Sequence, residues 1–492
     1  MKKAFLIPVV AALAAWSLHA GQEPRLTPRL EERLERTRGD EPQAVWVFFR
    51  DKGRQSAAAE NAARSLLAAR ALARRNLRGE RGGVQFEDLP LQADYVGEVA
   101  RRVTKVRQLS RWLNAMSAEA TPAQIRSLAE LPFVARLDVV RRYRRGAPEP
   151  VRPLAATSEA ARAAVGSPRD HDLDYGSSFG QVDQIKVPDA HDLGYHGEGV
   201  VIALFDAGFN NLQHEAFRSI QILAAHDFVN NDAEVADGSD MGEGSHGTET
   251  LSVIGGYRPG ELIGPAFAAS YVLAKTENTE KETVVEEDNW AAAAEWAEAL
   301  GVDLVSSSLG YLEFDQDRDS YSHRDMDGDT AVSTQAANLL TAKGVVVVNS
   351  AGNSGSNLFH NTLGAPADGK KVIATAAVNG SGRRASFSSV GPSADGRTKP
   401  DVAAQGVDVK AASPSSATKY DEVDGTSFSC PLTAGVVALI LQAHPTYTVD
   451  QVISVLKSTA SQASKPNNQL GWGIVNAKAA IQAPPPSGAV PR

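Results

Sequence analysis

Four short apolar runs constrain the fold of this chain more than any other feature. Val200-Val201-Ile202-Ala203-Leu204-Phe205 carries no polar residue, and Val345-Val346-Val347-Val348 repeats the pattern. Asp303-Leu304-Val305 and Val372-Ile373-Ala374 are shorter versions of it. A strand with one wet face alternates apolar and polar residues, whereas an unbroken apolar run fits a strand buried on both faces. Asn289 to Leu300 and Thr330 to Ala342 have helical character and lie between the runs. Strands that alternate with helices predict an α/β fold: a doubly wound, mostly parallel sheet with helices on both faces, expected over residues 173–483.

A second, smaller α/β unit is expected upstream. Val45-Trp46-Val47-Phe48-Phe49 has strand character, and Ser56 to Leu77 is rich in Ala, Leu and Arg at helical spacing. Asn114 to Ala120 reads as another strand. Thr121-Pro122 then opens a short helix, with Thr as N-cap and Pro at the first position, and Phe133 to Val140 closes the unit as a strand. Residues 146–172 are rich in Pro, Ala and charge and read as an exposed linker. Residues 484–492 form a Pro-rich tail.

The first twenty residues carry an address. Lys2 and Lys3 precede an apolar stretch from Ala4 to Trp16, and Leu18-His19-Ala20 ends on a small residue suited to cleavage. Residues 1–20 therefore read as a secretory signal peptide; a membrane anchor is the alternative, but the stretch is short for a span. The expected location is outside a bacterial cytoplasm, extracellular or periplasmic. The single cysteine, Cys430, excludes an internal disulfide and any CxxC metal site.

Charge divides the chain unequally. Residues 21–150 hold 25 Lys+Arg against 17 Asp+Glu, a net +8; residues 166–492 hold 21 against 41, a net −20. Opposite signs predict two units that attract each other, or else independent solvated surfaces. An acidic block of this size excludes nucleic acid as a partner, since phosphate binding needs clustered cations. No apolar run reaches 18 residues, so no membrane is expected for the mature form.

Three segments carry the chemistry. Asp206 ends the first apolar run, within Phe205-Asp206-Ala207-Gly208. His246 stands in Gly244-Ser245-His246-Gly247-Thr248, and Ser427 in Gly425-Thr426-Ser427-Phe428-Ser429-Cys430-Pro431 before an apolar helical run. Singly, these are a strand-end turn, a loop histidine and an N-cap. Together, in the order Asp, His, Ser, the chain resembles the subtilisin-like serine proteases, the subtilases. Ala351-Gly352-Asn353 resembles that family's oxyanion segment and Ser308-Leu309-Gly310 its substrate-cleft strand. Gly471-Trp472-Gly473 with Asn476 and Ala477 resembles its closing segment.

The resemblance implies a secreted serine endopeptidase that hydrolyses peptide bonds, is made as a zymogen and processes itself. A serine hydroxyl is a weak nucleophile and needs a base, here His246, oriented by Asp206. Asn353 and the Ser427 amide would hold the oxyanion. Ser308, Leu309 and Gly310 would bind an extended peptide as an added strand. Gly364, eleven residues after Asn353, would floor the primary pocket and leave room for a large apolar side chain, or is a plain turn glycine. Residues 21–145 would be a propeptide bound in cis to the catalytic domain, with the maturation cut in 146–172. Polypeptides are the expected substrates.

Departures from the family pattern are specific. Ala207 stands where a hydroxyl usually follows the catalytic Asp, and Phe428 where Met often follows the nucleophile. Cys430 reads as a small buried hydrophobe, with a reactive thiol as the alternative. No cofactor is required. Relatives often bind calcium, yet the segment between His246 and Gly264-Pro265 is short, so the usual tight site is trimmed. Asp315, Asp317, Asp319, Asp325, Asp327 and Asp329 form an acidic cluster in which Asp325, Asp327 and Asp329 are candidate ligands for structural Ca²⁺. The Asp325–Asp329 spacing fails the EF-hand template, and Asp329 or Thr330 can instead cap a helix.

Two other classes compete. An inactive subtilase fold used for binding is opposed by the filled triad and oxyanion positions. An acid-active serine peptidase with Glu as base is opposed by His246-Gly247-Thr248 and Asn353.

Overall fold

The computed structural model describes residues 25–54, 56–140, 151–153, 171–236, 244–278, 287–312, 320–357 and 362–484. The expected signal, residues 1–20, lies outside them, as do most of the linker and residues 485–492 of the tail.

In the N-terminal unit, apolar residues at alternate positions give β1 (Gln43–Phe49) two buried faces. Val45, Val47 and Phe49 pack with Leu30, Leu34, Met116, Ile125 and Leu137, while Ala44 and Trp46 turn the other way, toward Val140 and Val332. β2 (Lys105–Ser110), β3 (Ala115–Ala120) and β4 (Val134–Val139) complete an antiparallel sheet of order β2-β3-β1-β4. Five helices accompany it: α1 (Pro28–Arg36), α2 (Ala57–Ser65), α3 (Ala69–Arg78), α4 (Ala93–Ala100) and α5 (Pro122–Ala129). At α5 the Thr121 hydroxyl accepts from Gln124 N and the Gln124 side chain accepts from Thr121 N, so two end amides are satisfied at once.

The helical stretch expected over 56–77 is two helices. The chain breaks at Leu66–Ala68 because the Ala68 amide donates to the carbonyl of Ala299, far along the chain, at 2.8 Å. The linker also departs from expectation. Val151–Pro153 is not simply exposed coil: it forms strand β5.

The C-terminal unit is built on seven parallel strands: β6 (Val201–Asp206), β7 (Gln221–Asp227), β8 (Ser270–Lys275), β9 (Leu304–Ser307), β10 (Val346–Ser350), β11 (Val372–Val378) and β12 (Val402–Gln405). Their order is β12-β11-β10-β9-β6-β8-β7. The apolar runs are apolar because each face meets its own core. Ile202 and Leu204 of β6 join one cluster, and Ala203 and Phe205 the other. Helices α6 (His246–Gly255) and α9 (Thr426–Ala443) fill the first core. α9 is long and apolar enough to cross a membrane, but 89% of it is buried inside the fold.

Helices α7 (Glu287–Leu300) and α8 (Val332–Ala342) cover the other face. The N-terminal sheet lies against α7. Arg107 pairs with Asp288 at 3.0 Å, Ser117 Oγ donates to Asp288, and Ser110 Oγ donates to Glu295 at 2.5 Å. The attraction read from net charge is thus specific contact. A small antiparallel sheet joins β13 (Val409–Ala412), β14 (Tyr420–Val423) and β5 (Val151–Pro153), with Val151 opposite Val423.

Candidate active site

Parallel α/β sheets present ligand-binding residues at the carboxyl ends of their strands. Asp206 is the last residue of β6, buried at 1% exposure. The next turn brings the α6 helix close, and glycine makes this possible. A Cβ on Gly244 would lie 1.7 Å from the Ala207 carbonyl oxygen, and one on Gly208, whose φ is +141°, would lie 2.6 Å from the Gly244 oxygen. Two backbones in contact here set His246, the first residue of α6, beside the carboxylate.

His246 Nδ1 lies 2.7 Å from Asp206 Oδ1. A carboxylate only accepts, so Nδ1 carries the proton and donates, which leaves the Nε2 lone pair for other work in the neutral ring. The carboxylate is held on its other sides. The Ala207 amide donates to Oδ1 at 2.7 Å and the Thr250 hydroxyl to Oδ2 at 2.8 Å. Thr250 escaped the sequence reading. Its signal is the i, i+4 spacing from His246, which puts both on one face of α6. It supplies a hydroxyl to Asp206 although Ala207 has none.

Ser427 sits in the first turn of α9, where amides lack intrahelical acceptors. Its Oγ is 3.4 Å from the Ser308 carbonyl oxygen, and the Ser308 hydroxyl donates to the Ser427 carbonyl at 2.8 Å. The neighbouring Phe428 ring stands 5.6 Å from the His246 ring, which brings the serine turn and the imidazole into one locality. Asn353 follows β10. Its Oδ1 accepts from Thr426 N at 3.0 Å and from Thr426 Oγ1 at 2.9 Å. Two donors on one oxygen fix the amide plane and turn its NH₂ group to the opposite side. The sequence motif names Asn353 but not Thr426 as its anchor.

The remaining candidates divide into two groups. Ser308, Leu309 and Gly310 continue from β9 to Tyr311, which exchanges two backbone hydrogen bonds with Ala365 at 2.8 and 3.0 Å. A Cβ on Gly364 would come within 3.2 Å of the Tyr311 oxygen. Gly364 is therefore beside the 308–311 segment, and close approach accounts for a glycine there.

Asp325, Asp327 and Asp329, the candidate calcium ligands, each meet partners of their own. Asp325 pairs with Arg29 and accepts from Ser322, Asp327 accepts from Asp329 N and from Thr330, and Asp329 pairs with Lys370. Each carboxylate is drawn to local donors, so the three do not fit a shared cation. Among the described residues no group of three His, Cys, Asp or Glu side chains could hold a metal. Asp315, Asp317 and Asp319 lie outside the described residues.

Cys430 is fully buried, with Sγ 3.4 Å from the Ser307 carbonyl and 3.5 Å from that of Val348. Burial pushes its thiol up to about 12, the chemistry of an inert packing residue.

The profile of the Subtilase family matches residues 197–473, and that of the Peptidase S8 propeptide domain, Bacteroidota, matches residues 44–152. Subtilisin NAT of Bacillus subtilis subsp. natto is 33% identical over 304 residues, covering 61% of this chain and 70% of that protein. Subtilisin DY of Bacillus licheniformis is 32% identical over 298 residues, covering 61% of this chain and 96% of that one. Among solved structures, fervidolysin from Fervidobacterium pennivorans, described as a keratinolytic enzyme related to subtilisin, has a TM-score of 0.64 at 21% identity. The alignment covers 92% of this chain and 62% of that one, and it speaks for the fold.

Proposed function

Because this chain belongs to the subtilase family of serine endopeptidases, we propose that Asp206, His246 and Ser427 form its triad and Asn353 its oxyanion donor. The observation that carries the proposal is the 2.7 Å contact of His246 Nδ1 with an Asp206 carboxylate already held by Thr250 and Ala207. Ser427 Oγ attacks the scissile carbonyl carbon while His246 Nε2 takes its proton. Asp206 keeps the ring in the required tautomer and stabilises the imidazolium. The oxyanion receives the Ser427 amide and Asn353 Nδ2. When the tetrahedral species collapses, the imidazolium gives its proton to the leaving amine, and the acyl group stays on Oγ. Water then attacks the ester with His246 again as base, and Ser427 is restored.

Polypeptide substrates add along Ser308-Leu309-Gly310. Gly364 floors the primary pocket, with a preference for large apolar side chains before the cut. The chain is a zymogen whose N-terminal domain belongs to the S8 propeptide class. The proposed layout is a signal over 1–20, a propeptide over 21–145 bound in cis, a linker over 146–172 with the maturation cut, and a catalytic domain over 173–483. The enzyme is exported from a bacterial cell and processes itself. The pairing of Val151 with Val423, four residues before Ser427, supports a linker that passes close to the nucleophile.

A fluorophosphonate probe tests the triad: it labels the wild type and fails on Ser427→Ala. Labelling of both, or of neither, overturns the proposal. N-terminal sequencing of secreted wild type and Ser427→Ala locates the cuts and shows whether they need the serine.

A further inference from the structure

The N-terminal unit grips helix α7 along its length. Asp288 in its first turn and Glu295 in its middle meet the sheet through Arg107, Ser117, Ser110 and Trp112. The end of α7 is held differently, by the insert that contains α3. This end lies at the amino edge of the seven-stranded sheet, since Gly301 to Asp303 lead straight into β9 and Lys343-Gly344 lead toward β10. Asp206 lies at the carboxyl edge, a strand of six residues away, or about 20 Å. A peptide in the cleft does not reach this place.

Four arginines of one short helix meet it. Arg70 donates to the carbonyls of Gly199 at 2.6 Å and Gly301 at 3.1 Å and pairs with Asp303. Arg74 donates to the carbonyls of Val302 at 2.5 Å and Lys343 at 3.3 Å and pairs with Glu298. Arg75 bridges Glu298 and Asp88, and Arg78 pairs with Asp303. Backbone amides add to this: Ala68 N donates to Ala299 O and Glu80 N to Ala342 O, each at 2.8 Å. Two acceptors, Ala299 O and Ala342 O, are orphan carbonyls at the negative ends of the α7 and α8 dipoles. The carbonyls of Gly301, Val302 and Lys343 follow those ends, and the Gly199 carbonyl and the carboxylates of Glu298 and Asp303 complete the set.

The fit is steric as well as electrostatic. Gly301 and Gly344 close the two helices with φ of +90° and +83°. A Cβ on either would stand 2.8 Å from an α3-segment amide, Ala71 N or Gly79 N. Arg74 and Arg75 are buried at 3% and 0% exposure, so the guanidinium groups are sealed between the units and not spread on a surface. Salt screens such pairs far less than exposed ones.

We infer that the carboxyl ends of α7 and α8, with Glu298 and Asp303, form a second docking site, separate from the cleft, for the arginine-bearing helix of the propeptide. This site adds its own share to the hold on the propeptide after the linker is cut, so loss of the arginines speeds release of the fragment. The inference rests on the propeptide reading above, and it assigns the surface a partner of stated chemistry: a helix with arginines at i, i+4, i+5 and i+8.

The test uses the full chain with Ser427→Ala, an inserted sequence for an unrelated site-specific protease in the linker, and a C-terminal tether. After that protease nicks the linker, release of the N-terminal fragment is timed. The parent should hold the fragment for hours. Arg70→Ala/Arg74→Ala/Arg78→Ala should release it at least ~100-fold faster, on the scale of losing buried charge pairs at an interface. Should that variant fail to fold, Arg70→Ala alone decides the matter. Its side chain is partly exposed and contacts catalytic-domain oxygens, and about tenfold faster release is expected. Release within threefold of the parent for a folded variant overturns the inference. The readout needs no catalysis, so failure of the protease proposal, seen as absent fluorophosphonate labelling, is distinct from failure here.

Discussion

The two edges of the seven-stranded sheet hold carboxylates for opposite purposes. At the carboxyl edge Asp206 is met by an imidazole, a hydroxyl and an amide. At the amino edge Glu298 and Asp303 are met by guanidinium groups. Imidazole gains and loses a proton near neutrality, and guanidinium does not. One edge is suited to moving protons and the other to staying fixed. The choice of cation beside a buried acid thus separates a reactive site from a clamp in the same sheet.

The largest expected effect breaks the reactive edge outright. Ser427→Ala or His246→Ala should lower kcat by about a million-fold on a chromogenic peptide, the scale of subtilisin-type triads. The fixed edge breaks through folding instead. Glu298→Ala in the Ser427→Ala chain should cost about 3–5 kcal/mol in denaturant unfolding, because Arg74 and Arg75 lose a buried counter-charge. A loss below 1 kcal/mol would remove the contrast. Asn353→Ala should lower kcat about 10²–10³-fold with little change in KM.

Acid sharpens the comparison. Asp88, paired with Arg75 and Lys343, is held at about 2, below the ordinary 3.8, chiefly by hydrogen bonding to Arg75 against the cost of burial. A depressed carboxyl contributes stability that is whole above 3.8 and lost as the pH falls toward 2. Through its pair with Lys343 of the larger unit, Asp88 should therefore help keep the nicked propeptide bound down to about pH 4; co-elution against pH checks it. The smallest effect is expected from peroxide, which should leave activity largely intact because Phe428 stands beside the nucleophile in place of an oxidisable Met.

How far the sequence discloses this arrangement follows the same division. Strands buried on both faces must be apolar throughout, so β6 and β10 are legible as runs. Asp206, His246 and Ser427 are legible because each occupies a motif of fixed local shape. The polar strand β2 has no such signature, and its residues make sense only beside Asp288 and Glu295. The break between α2 and α3 depends on a carbonyl more than two hundred residues away. Thr250 is marked only by its i, i+4 spacing from His246, and Thr426 acts through Asn353, distant in sequence, so no spacing marks it. The acidic cluster is the converse case. Its composition suits a cation, but Ser322, Thr330, Arg29 and Lys370 claim the oxygens separately.

Helix α9 carries the Ser427 hydroxyl in its first turn and then forms the keel of the larger core, buried almost to its last residue. Durability and reactivity are therefore mechanically joined. Loosening the interior around Leu439 or Val452 shifts the serine too, so thermal inactivation and global melting should arrive at one temperature.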